Sequence, residues 1–139
     1  MPPTLASTRN LIQLHLMDLS NLIWSETTLD EAVRSALADL SRIYGEPLTL
    51  SGLDAETITT FDDLDLHPLI EGAVAYALKF RVTGRFEEAT PEPGIASQLA
   101  EWAVQAMESF QSSLIRIQLR RFQSSDSIPH AGWDWDEAQ

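Results

Sequence analysis

The residues of this 139-residue chain whose types could do chemistry are three histidines, a close trio of aspartates and a cluster of arginines. His15, His67 and His130 lie far apart, and none has a second histidine one helical turn away, so zinc-protease spacing is missing. Asp62, Asp63 and Asp65 stand beside His67 ahead of a helical stretch. A calcium loop would need a glycine at its sharp turn and a closing glutamate, and neither is present. The aspartates therefore read as helix-start charges favoured by the helix dipole. Glu87 and Glu88 are sequence neighbours that point apart, which suits solvation better than paired acid–base work. There is no phosphate-cradling glycine loop and no nucleophile elbow. Cysteine is absent, so there is no thiol nucleophile, disulfide framework or Cys-based metal site. The residues ask for no catalysis, metal or cofactor, and the expectation is that the chain is not an enzyme.

Two other constellations point to binding. Arg116, Arg120 and Arg121 hold a third of the 9 basic side chains within two turns. They could complement the dipole at a helix C-terminus, or face an acidic partner or a second copy. The tail Gly132-Trp133-Asp134-Trp135-Asp136 places two tryptophans in an acidic terminus, with Ile128 upstream. Tryptophan is a frequent interface anchor, and an extended segment can wrap a partner. Ile128, Trp133 and Trp135 are accordingly the expected docking residues, although the tryptophans could also fold back on the domain's own helices.

These residues are hung on a long helical run from about Ile95 to Arg121. Ile95, Leu99, Trp102, Ala103, Ala106, Phe110, Leu114 and Ile117 fall on one apolar stripe, and Pro93-Gly94 marks the start. At ~1.5 Å per residue the run is a rod of roughly 40 Å. Past Phe110 a second stripe of Ile115, Leu119 and Phe122 emerges nearly opposite the first. Arg116 and Arg120 lie between the stripes, and Arg121 falls on the first. The first half reads as the spine of the domain. The second half, Ile115 through Phe122 with its arginines, reads as a subunit or partner interface.

Earlier elements are shorter. Met1–Ala6 reads as a loose end, and Ser7–Ile23 as a helix capped by Ser7 or Thr8, its apolar residues spread too widely for a single face, although the alternation of Ile12, Leu14 and Leu16 would also suit a strand. Thr28 and Glu31 have capping-box spacing. The stripe Leu29, Ala32, Val33, Ala36, Leu37, Leu40, Ile43 and Tyr44 follows, stopped by Gly45 and Pro47, with Trp24 placed to pack over the entrance. Residues 47–61 alternate and carry β-branched side chains, which suits a small hairpin or irregular β-excursion. A further helix spans about Leu66 to Arg81, with Leu66, Leu69, Ile70, Ala73, Val74, Ala77 and Phe80 buried and the two alanines allowing a close helix approach. A polar linker, 83–94, leads into the long run.

The expected fold is mainly α: a small helical bundle with one long C-terminal helix, a short β-hairpin-like excursion and an extended C-terminal tail. The helical domain covers 1–122 and the tail 123–139. A 44% hydrophobic composition is ordinary for a globular domain. The formal net charge of -12 argues against a general nucleic-acid binder and against an anionic membrane surface. No apolar run reaches the ~20 residues that cross a bilayer, and no signal-peptide pattern opens the chain. The expected setting is soluble and intracellular.

The runs Trp24-Ser25, Leu29-Asp30-Glu31, Ala36 to Ser41, Pro47 to Asp54 and Gly72 to Leu78, in this order, resemble the head–tail adaptors of tailed bacteriophages, also called connector or neck proteins. The resemblance spans roughly Leu11 to Phe122 and is one of pattern. It implies a structural virion protein that joins the portal as a homo-oligomeric ring, usually of twelve copies. Such a ring extends the DNA channel and offers a platform to the next neck or tail component, while the C-terminal segment docks on the portal. DNA would pass without specific binding, which suits an acidic duct. Localisation would be the virion neck, and the host cytoplasm before assembly. The competing reading is a soluble acidic helical regulator or DNA-mimic binding module.

Overall fold

A computed structural model describes residues 2–20, 23–87 and 93–124, and for 85–87 and 93–96 the backbone alone. Among these residues there are four α-helices, α1 (Leu5–Leu16), α2 (Glu26–Tyr44), α3 (Leu66–Glu87) and α4 (Pro93–Gln123), with a 3-10 turn at Asp63–Asp65 leading into α3. The chain is mainly α, with a long C-terminal helix and no strand among the described residues.

α3 is the spine. It touches α1, α2 and α4, and Leu69, Ile70, Ala73, Val74, Ala75, Ala77 and Leu78 are all buried. Small residues make that crowding possible. A Cβ on Gly72 would stand 2.6 Å from the Phe110 ring and 2.9 Å from the Ala36 methyl, so this glycine is where α2 and α4 close on α3. The assignment of the spine to the first half of the long helix is therefore corrected. On α4 the buried residues are Phe110, Ser113 and Ile117, in its second half, whereas of the first-half stripe Trp102 is 40% exposed and Leu99, Ala103 and Ala106 are only partly buried against the core. Stripe periodicity identifies the inward face but not which stretch of a helix its neighbours are long enough to cover.

The α2 stripe is buried as expected, from Leu29 to Leu40, and Gly45 ends the helix in the left-handed region at φ 76. Its cap lies one turn earlier than the Thr28 and Glu31 pair suggests. Ser25 accepts from the Thr28 amide at 3.2 Å, while Glu31 pairs with Arg34. Trp24 packs inward against α3, its indole donating to the Ala77 carbonyl at 2.8 Å.

The N-terminus is not loose. Thr4 and Ser7 form a capping box for α1, and the Leu5 amide donates to the Ser51 carbonyl at 2.8 Å. α1 also stops at Leu16, well short of Ile23. Met17 turns left-handed at φ 58, and the Asp18 carboxylate takes the amides of Ile23 and Trp24 at 3.1 and 2.9 Å. Those side-chain bonds satisfy the backbone in a turn and remove the reason to continue the helix.

Residues 47–61 form the irregular excursion rather than a hairpin. Thr60 pairs backbone-to-backbone with Thr49, but elsewhere hydroxyls replace the ladder. Thr49 N–H donates to Thr60 Oγ1 at 2.8 Å, Ser51 N–H to Thr59 Oγ1 at 3.0 Å, and Thr59 Oγ1 to the Pro3 carbonyl at 2.6 Å. Leu48, Leu50, Leu53 and Phe61 anchor it in the core.

Candidate functional site

The C-terminal half of α4 is fixed in rotation by what lies on its inner face. Ile117 is 3% exposed, and Ser109 and Ser113 donate to the Glu71 carboxylate at 2.9 and 3.0 Å. With roughly 100° per residue, Ile115, Leu119 and Phe122 then point nearly opposite Ile117. Their exposures are 58%, 54% and 49%. The second stripe read from the sequence is thus an outward apolar face.

The three arginines part company. Arg116 is exposed on the flank of this face and donates to Ser113 Oγ at 2.9 Å. Arg120 places its guanidinium on both oxygens of Asp65, at 2.8 and 2.9 Å, and Asp65 is 0% exposed. That contact raises the Arg120 pKa above its ordinary value. Arg121 stacks over the Tyr44 ring, 3.9 Å from its centroid. The Tyr44 hydroxyl donates to Asp65 and accepts from the Asp62 amide at 3.2 Å. Burial, then the bond to Asp65, pushes this phenol up to about 12. So Arg120 and Arg121 tie the last turns of α4 to the end of α2 and the start of α3.

Asp62, Asp63 and Asp65 do stand at a helix start, in the 3-10 turn that leads into α3, but one of them does more than that. No side chain caps the 3-10 turn, and Asp65 is the enclosed counter-ion of Arg120. Nothing in local sequence could announce a partner 55 positions away.

A second group of exposed apolar residues was only half visible in the sequence, as apolar residues too widely spread for one helix face. The early stop of α1 leaves Leu14, Met17, Leu19 and Ile23 exposed by 55%, 85%, 69% and 48%. An open groove of about 660 Å3, which no local sequence signal marks, lies between α2 and the excursion and is lined by Leu37, Leu48, Leu50 and Leu53. Arg34 closes one edge on Asp54 with bonds of 2.9 and 2.6 Å, which raise the arginine and lower the aspartate from their ordinary pKa values.

His15 Nδ1 lies 2.8 Å from the Leu11 carbonyl, and His67 Nε2 is 3.6 Å from Glu71. Among the described residues no group of three or more His, Cys, Asp or Glu side chains could hold a metal ion. Among them, too, no helix is long and apolar enough to cross a membrane. His130 and the expected docking residues Ile128, Trp133 and Trp135 lie outside the described residues.

Compared with known proteins, this chain matches no protein-family model, no curated protein and no solved structure.

Proposed function

We propose that the chain is a non-enzymatic structural subunit, a head–tail adaptor that assembles as a ring under a phage portal, extends the DNA channel and carries the next neck or tail component. One observation carries the reading. A single chain exposes apolar side chains in two different places: Ile115, Leu119 and Phe122 on the outer side of α4, and Leu14, Met17, Leu19 and Ile23 in and after the end of α1. A closed ring needs two unlike surfaces on every copy, so that one face of each subunit meets the other face of the next. The pattern resemblance to neck proteins supplies the setting and the usual twelve copies. The formal charge of -12 suits a duct through which DNA slides without being gripped. In this reading Arg116 belongs to the rim of the subunit contact, while Arg120 and Arg121 hold its scaffold. Ile128, Trp133 and Trp135 dock on the portal, and the protein resides in the virion neck.

Single-face variants test it. Leu119→Asp spoils one face and Met17→Asp the other, both at exposed positions. Each alone should fail to oligomerise in cross-linking at high protein concentration, while their mixture should give a defined two-chain species through the one intact pair of faces. If each variant still forms its own two-fold dimer, the contact is isologous and the ring reading fails.

A further inference from the structure

We infer that the groove between α2 and the excursion is a docking site for a short extended segment of another protein, apolar in its middle and basic at both ends. One wall is the face of α2 from Arg34 to Arg42, and the other is the chain from Glu46 to Glu56. Leu48 and Leu50 line it two positions apart, while the Thr49 hydroxyl between them donates across the excursion to the Ile58 carbonyl at 2.5 Å. The walls are braced near both ends. Ser41 Oγ accepts from the Leu48 amide at 3.0 Å and donates to the Leu37 carbonyl at 2.8 Å, and Arg34 bonds Asp54 at the far end. A groove held in this way is formed before anything enters it, which lowers the cost of binding.

Length and charge define the occupant. From Arg34 to Gly45 the α2 wall runs eleven residues, about 16 Å along the helix axis, which five extended residues span at ~3.3 Å each. Alternate side chains of an extended segment face one way, so they meet Leu48 and Leu50 in matching period. The arginines of the rim are occupied, Arg34 by Asp54 and Glu31, and Arg42 by Asp39. Glu46 lies at the Gly45 end, and Glu56 lies two positions from Asp54 at the other. Both are exposed, and neither has an ion-pair partner among the described residues. The uncompensated charge is therefore negative at both ends with leucine between, and the complementary segment carries a cation at each end.

A second copy is the poorer occupant. Its formal charge is -12, and its most basic stretch, 109–123 with three arginines and no acid, is helical rather than extended. The groove shares no lining residue with either group of exposed apolar side chains invoked for the ring. The docking therefore goes beyond the adaptor reading and does not rest on it. In a ring, every copy would offer one such groove to a further component.

The test titrates the full chain, followed by amide NMR, with a blocked seven-residue peptide: arginine at each end, and leucine alternating with serine between. Two controls replace both arginines by glutamate, or every leucine by serine. Docking predicts shifts gathered at Leu37, Ala38, Leu48, Leu50 and Leu53, with both controls at least about tenfold weaker. Ala38→Arg, at an exposed position on the α2 wall, should weaken the first peptide at least as much while the rest of the spectrum stays unchanged. Glu46→Lys with Glu56→Lys should turn the preference toward the glutamate-ended peptide. No shifts at millimolar peptide, equal binding of all three peptides, or shifts confined to another element would overturn the inference. So would groove shifts of the free chain that grow with its own concentration together with those of Ile115 and Leu119, which would give the groove to a second copy. Failure here leaves the face-variant test of the ring untouched, and failure of the ring leaves this titration standing.

Discussion

Arg120, on the last turn of α4, grips both carboxylate oxygens of the fully enclosed Asp65 at 2.8 and 2.9 Å. The pair joins the two ends of the α3–α4 hairpin, and Tyr44 brings in the end of α2. Whatever the outer face of α4 binds, this contact holds that face in its orientation.

The two partners are not equivalent. Removing Arg120 leaves an unexposed carboxylate with the Tyr44 hydroxyl but no counter-charge, whereas removing Asp65 leaves a guanidinium that is already 42% exposed. Arg120→Ala should therefore cost about 3 kcal/mol, the low end for breaking a buried pair, and more than Asp65→Ala. Urea denaturation of both variants measures the difference. Equal or negligible losses would show the pair to be incidental.

Tyr44 predicts an alkaline limit. Its phenol ionises near 10 when unfolded and is pushed up to about 12 in the fold. Between those values the unfolded chain binds fewer protons than the folded one, so stability falls as pH rises. The contribution is fully present below pH ~10 and lost through pH ~12. Tyr44→Phe should flatten this part of the stability–pH curve, read from thermal midpoints across the range.

Gly72 sets two physical effects against each other. Alanine is favoured over glycine inside a helix by about 1 kcal/mol. Here the added methyl would meet the Phe110 ring at 2.6 Å and the Ala36 methyl at 2.9 Å. Overpacking of this kind costs about 1–3 kcal/mol, so Gly72→Ala should destabilise. Phe110→Ala opens the converse cavity, at about 3–5 kcal/mol. The double variant Gly72→Ala, Phe110→Ala should lose less than the sum, since the new methyl enters space the ring has left. Calorimetry of the four proteins reads the coupling directly.

The face around Met17 predicts the opposite. Met17 is 85% exposed and adopts a left-handed conformation at φ 58. Met17→Gly should stabilise the monomer slightly, by about 1 kcal/mol, because glycine takes this conformation without its steric cost. A loss of stability would show that the side chain packs on the chain itself.

How far these features could be read beforehand depended on the range of the interaction. The α2 stripe, its Gly45 stop and the outward Ile115, Leu119 and Phe122 stripe are local periodicities, and they stand in the structure as read. The end of α1 was misplaced because Asp18 competes for the backbone amides of Ile23 and Trp24, a choice propensity does not register. Of the two readings of 47–61, hairpin or irregular excursion, the second holds because threonine hydroxyls take places a ladder would have filled. Arg120 and Arg121 looked like partner charges because Asp65 and Tyr44 are brought to them only by the tertiary fold. An isolated helix shows its faces, but which of them stays open is decided by its neighbours.

The most direct measurement of the central claim is co-sedimentation with the portal encoded in the same genome, using the full chain and a chain ending at Gln123. The account predicts that the full chain joins the portal in a fixed ratio near one-to-one and that the shortened chain does not. A full chain that stays in the supernatant as a monomer, with the portal intact in the pellet, would contradict it.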